Sequence, residues 1–133
     1  MLPSVSKPST PFHATILPMT DITSLRNQLR TFATERDWDQ FHSPKNLASA
    51  LAVEAAELLE IFQWLTEAQS QKLPRKELES VKEEVADVLL YLIRLSDKLG
   101  IDLIAAAQAK IVLNAKKYPV EKSHGNNKKY TEF

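Results

Sequence analysis

A chain of 133 residues fits one domain, and its 17 basic and 17 acidic side chains cancel, which removes any bulk electrostatic case for binding nucleic acid or a membrane. The absence of cysteine excludes disulfides, thiolate catalysis and zinc ribbons, and two glycines are too few for a phosphate-cradling loop. With 44% hydrophobic and 26% charged residues, and no apolar run of the roughly 18–20 residues that span a bilayer, the composition is that of a soluble globular protein expected in the cytoplasm.

Residues 1–20 hold four of the seven prolines, which fix φ and donate no N–H, so this stretch is expected to be a disordered extension. From Asp21 the pattern changes. Ile22, Leu25, Leu29, Phe32 and Ala33 recur at helical spacing, with Thr20 or Asp21 as cap, and predict a first helix ending near Trp38. "FHSPKN" is a connection, in which Ser43 before Pro44 is a helix-start signal. The second helix is predicted over Pro44 to about Leu65, followed by the polar link "TEAQSQKLPRK". Pro74 can open a third helix from Arg75 to Leu99, stopped by Gly100. Asp102 can cap a fourth helix through Lys117, and Pro119 prevents its continuation. Residues 21–118 then form an all-α domain, a four-helix bundle with antiparallel neighbours, and residues 119–133 a basic tail.

Carboxylates on apolar helix faces are the unusual feature. Leu47, Ala50, Leu51, Leu58, Ile61, Phe62 and Leu65 line one face of the second helix, and Glu54 falls on that face with Glu57 at its edge. Glu60 is better placed to reach solvent. On the third helix Val81, Val85, Val88, Leu89, Leu92 and Leu95 form the apolar face, and Glu84 and Asp87 fall on it. Two successive helices thus repeat one device, E-x-x-E and then E-x-x-D. Uncompensated carboxylates between packed helices would cost several kcal/mol. The same faces offer few cations, so a metal ion is the economical counterion. All-oxygen ligation suits Mg²⁺ or Mn²⁺. The three histidines, His13, His42 and His124, lie off the core helices, which disfavours di-iron and zinc. Hydrated Mg²⁺ on a few carboxylates commonly meets a phosphate, which points to phosphoryl or nucleotidyl chemistry.

Glu54-x-x-Glu57 followed by Glu84-x-x-Asp87 resembles the metal-binding pattern of the MazG-like, all-α nucleoside triphosphate pyrophosphohydrolases. The flanking "ERDWDQFHSPKNL", "EAAELLEIFQW", "EEVADVLLYL", "KKYP" and "KKYTE" are similar to the dCTP pyrophosphatase branch, from about Asp21 to Phe133. The resemblance implies subunits that associate through helices into a homodimer or a dimer of dimers. It also implies Mg²⁺-dependent hydrolysis of dCTP, and of 5-modified dCTP, to the monophosphate and diphosphate. Glu54, Glu57, Glu84 and Asp87 would hold the metal, and Glu57 or Glu54, which the sequence does not separate, would act as general base, with Glu57 preferred. Trp38, His42, Trp64 and Tyr91 match positions lining the nucleotide site. Asn114, Lys117, Tyr118, Lys128, Lys129 and Tyr130 match positions that touch the triphosphate. Leu29 departs from the pattern, since some animal members carry His there, and this leaves base selectivity open. The competing readings are a same-fold enzyme acting on other or general nucleoside triphosphates, and a helical interaction module without catalysis. The apolar run "LIAAAQAKIVL" offers more surface than one small subunit can cover, which also favours an oligomer.

Overall fold

A computed structural model describes residues 21–133; the predicted disordered extension, and Thr20 as an alternative cap, lie outside them. The described residues are helical, with no strand. Helix α1 (Ile22–Glu35) is capped by Asp21, whose carboxylate accepts the Ser24 N–H at 2.7 Å. It ends before the expected Trp38 because Asp37 turns the backbone to φ +53°. The Trp38 N–H then bonds back to the Ala33 carbonyl at 2.9 Å, closing the helix. A 3₁₀ turn (Asp39–Phe41) follows.

Helix α2 (Pro44–Phe62) starts as expected, with the Ser43 hydroxyl accepting from the Asn46 N–H at 3.1 Å. It stops short of Leu65, because Thr66 and Gln69 close a reciprocal capping box that opens the short α3 (Glu67–Ser70) within the expected polar link. Helix α4 (Arg75–Lys98) is ended by Gly100 at φ +67°, where the Ile101 N–H reaches the Ser96 carbonyl at 2.8 Å. Asp102 caps α5 (Leu103–Lys117) through the Ala105 N–H at 3.0 Å. The tail carries a short helix, α6 (Val120–Ser123), and a 3₁₀ turn (Tyr130–Glu132).

Helices α2 and α4 form the main packed pair, and α1 lies against α4. Ala33, Leu47 and Ile93, one from each of these helices, are the fully buried apolar residues. The predicted apolar face of α2 is the one turned inward: Leu47 is buried, and Ala50, Leu51, Glu54, Leu58, Ile61 and Phe62 are the partly buried positions. On α4 the expected face holds at Val81, Glu84, Asp87, Val88, Leu92 and Leu95, which are partly buried, and fails at two positions. Val85 and Leu89 are exposed, and the inward stripe runs through Glu84, Asp87, Val88 and Tyr91 to Ile93 and Arg94. Helix α5 packs only weakly on the others, so Ile104, Ile111, Val112 and Leu113 all stay exposed. No described helix is long and apolar enough to cross a membrane.

Candidate active site

Packing α2 on α4 sets the two acidic repeats face to face. One carboxylate oxygen from each of Glu54, Glu84 and Asp87 lies within 4.8 Å of the others, and all three residues are half-buried. One turn after Glu54 on α2, Glu57 is exposed at the rim, yet close enough for its charge to raise the proton affinity of both Glu54 and Glu84. Burial, and after it the neighbouring Glu57 and Asp87 charges, push the Glu54 carboxyl up to about 7. Glu84 is raised too, first by burial and then by Glu57 and Asp87, with its contact to Glu54 opposing the change.

One oxygen of Glu54 and one of Glu84 are buried with no hydrogen-bond partner. A buried acceptor without a donor is costly, and two of them pointing into one acidic cluster call for a cation. The oxygen-only donor set suits a divalent metal ion.

The acidic cluster lies within the stretch that matches a known family. Residues 50–133 match the MazG-like family. The chain belongs to that family. Among curated MazG-like relatives, dCTP pyrophosphatase 1 of Mus musculus is 42% identical over 118 residues, covering 87% of this chain and 69% of the relative. The Homo sapiens protein of the same name is 38% identical over the same shares of both chains. In structure, this MazG-like chain is similar to a pyrophosphatase from Archaeoglobus fulgidus, with a TM-score of 0.71, 40% identity, and coverage of 76% of this chain and 94% of that one.

The other predicted site residues fall in four places. Trp38 and His42 meet beside the 3₁₀ turn, with ring centroids 6.4 Å apart and planes nearly perpendicular, and Phe32 packs edge-on against Trp38 at 5.7 Å. Tyr91 is half-buried on α4, one turn beyond Asp87. Trp64, by contrast, is 86% exposed on the turn after α2, and none of the described residues brings it into a pocket. Tyr118 packs edge-on against both Tyr130 and Phe133 at 5.9 Å, and the Lys117 ammonium lies 5.0 Å from the Tyr130 ring centre. Asn114, Lys128 and Lys129 are exposed near this aromatic knot, on the last turn of α5 and in the tail.

Sequence reasoning missed a polar network behind His42. Arg94, buried on α4, donates from Nε to His42 Nδ1 at 3.1 Å and from its terminal nitrogen to Asp39 at 2.5 Å. Lys98 also bonds Asp39, and Arg30 grips Asp97 with two bonds of 2.5 and 2.7 Å. Lys98 and then Arg94 hold the Asp39 carboxyl below its usual range, and Arg30 does so for Asp97. An arginine on a helix reads as solvated in sequence, and the partners that bury this one lie more than fifty positions away.

Proposed function

We propose that this chain is a Mg²⁺-dependent nucleoside triphosphate pyrophosphohydrolase that converts dCTP and water to dCMP and diphosphate, acting in cytoplasmic control of the nucleotide pool. The observation that carries the reading is the convergence of Glu54, Glu84 and Asp87 around two unpartnered buried oxygens, in a chain about 40% identical to dCTP pyrophosphatases.

In this reading Glu54, Glu57, Glu84 and Asp87 hold the metal through oxygen ligands. Bound Mg²⁺ supplies positive charge against the phosphate oxygens. Glu57, exposed at the rim and least committed to the cluster, accepts the proton of the attacking water. The new bond joins that water's oxygen to the α-phosphorus. The bond that breaks runs from the α-phosphorus to the bridging oxygen, which leaves with diphosphate. Trp38, His42, Trp64 and Tyr91 take the nucleoside, where aromatic faces suit a flat base. Lys117, Lys128 and Lys129, with Asn114, Tyr118 and Tyr130, meet the triphosphate.

We further propose that these donors serve the acidic cluster of a second copy in a homodimer or homotetramer. Support comes from the weak packing of α5 on its own subunit and from the clustering of Lys117, Tyr118 and Tyr130 away from α2 and α4. Mixing inactive Glu54→Gln subunits with inactive Lys117→Ala subunits should then restore part of the activity, whereas a site built within one subunit gives none.

Diphosphate release measured across the four dNTPs, the NTPs and 5-methyl-dCTP, with Mg²⁺ and with chelator, tests the main reading. A clear preference for dCTP that vanishes with chelator supports it. Equal turnover of all triphosphates favours the general enzyme, a reading that Leu29, which departs from the resembling pattern, leaves open. Silence on every nucleotide removes the enzyme.

A further inference from the structure

Burying a guanidinium is expensive unless each donor is used, and Arg94, only 7% exposed, spends one of its donors on a histidine. Arginine keeps its protons and has no acceptor, so the 3.1 Å contact requires a lone pair on His42 Nδ1. The ring proton must then sit on Nε2. The charged groups around the ring hold it in that state. Arg94 and Lys98 from α4 oppose a second proton, Asp39 from the 3₁₀ turn favours one, and burial adds the largest opposition. Asp97, beside Arg94 at 3.7 Å, is itself bound to Arg30. Among the described residues, Nε2 of His42 makes no hydrogen bond, and the ring stands edge-on to Trp38 at 6.4 Å.

We propose that Arg94 is a positioning residue that locks His42 as a neutral imidazole protonated at Nε2, a donor-only contact for an acceptor atom on the nucleoside of the substrate. The proposal rests on the nucleotide reading above only for the identity of the ligand. A fixed donor suits the O2 and N3 acceptors of cytosine and opposes the N3–H that uracil and thymine present at that edge. The selectivity of this site then comes partly from a residue that never touches the substrate.

Two measurements test it. Nitrogen spectra of ¹⁵N-histidine-labelled full-length protein read the tautomer without any substrate. His42 is expected to show a protonated Nε2 and a bare Nδ1 throughout about pH 5.5 to 8. A proton on Nδ1, or an ordinary titration within that range, overturns the proposal even if the enzyme cleaves dCTP. The second measurement is a double-substitution cycle on steady-state kinetics. Arg94→Met should raise KM for dCTP about tenfold, the worth of one hydrogen bond, with kcat little changed and with a new inflection in the pH profile of KM near the ordinary histidine range. His42→Asn should raise KM similarly, and adding Arg94→Met to it should do nothing more. Additive losses, or a fall in kcat alone, mark Arg94 as purely structural and overturn the proposal. Should Arg94→Met fail to fold by circular dichroism, Arg94→Lys, which keeps the charge and a donor but not the fork, replaces it in the same cycle.

Discussion

Glu54 and Glu84 each keep one buried oxygen without a partner, in a cluster where burial raises both carboxyls. The Glu54 carboxyl is raised from an ordinary 4.5 to about 7 in the fold, so folding binds a proton there. Its contribution to stability is complete below about pH 4.5 and is lost as pH rises through about 7. In chelator, the melting temperature should therefore fall between pH 5 and 8, roughly the window of that shift. Mg²⁺ should restore it, by about 2.7 kcal/mol at a hundred times its Kd. Glu54→Gln should flatten the slope in chelator and abolish the Mg²⁺ effect, while kcat/KM drops at least about a hundredfold. Thermal melts with and without Mg²⁺, beside initial rates, check all three. Glu57→Gln should separate the roles, losing kcat but retaining most of the stabilisation by Mg²⁺; loss of both would make Glu57 a ligand first. Asp97 acts with the opposite sign. Arg30 lowers its carboxyl from an ordinary 3.8, so that contribution is present above this value and is lost as pH falls through the lowered one.

Helix α2 shows how far local pattern reaches. The face through Leu47, Leu51, Leu58 and Ile61 follows from a 3.6-residue repeat, and Glu54 was placed on it correctly for the same reason. Truncating Leu47 should cost about 2–5 kcal/mol, since its side chain is fully enclosed; chemical denaturation measures this. Gly100 ends α4 with φ +67°, and a Cβ there would meet nothing within 4 Å, so Gly100→Ala should cost only the backbone strain of about 1–2 kcal/mol. The caps at Asp21, Ser43 and Asp102 and this stop were legible because each depends on residues within a turn of one another. The end of α1 was not, because its apolar pattern runs on to Phe32 and Ala33 while the backbone reverses at Asp37; aspartate tolerates positive φ better than most residues, but its presence alone does not mark a reversal. The short α3 carried its capping box in Thr66 and Gln69, but four residues are too few to show a period. Val85 and Leu89 on α4 stay exposed although their spacing puts them on its apolar face.

A subunit whose described residues fully bury only Ala33, Leu47 and Ile93 among their apolar side chains, and leave Ile104, Ile111, Val112 and Leu113 of α5 exposed, has surface to share. An apolar surplus was legible in the run Leu103–Leu113, and a sequence records that surplus but not what covers it. Ile111→Lys should weaken assembly, lowering the sedimenting mass and making the melting temperature strongly dependent on protein concentration; unchanged mass would place the interface elsewhere. Deleting residues 126–133 should raise KM for dCTP while leaving the fold, read by circular dichroism, intact. Trp64, 86% exposed, also gives the protein an optical property of its own. The chain has two indoles, and Trp38 is already packed against Phe32 and His42. A Trp38→Phe chain would therefore emit from one fully hydrated fluorophore. A red shift of its emission on dilution reports Trp64 uncovered as copies separate, a blue shift on nucleotide titration reports it covered by substrate, and the two titrations together tell a neighbouring copy from a nucleobase.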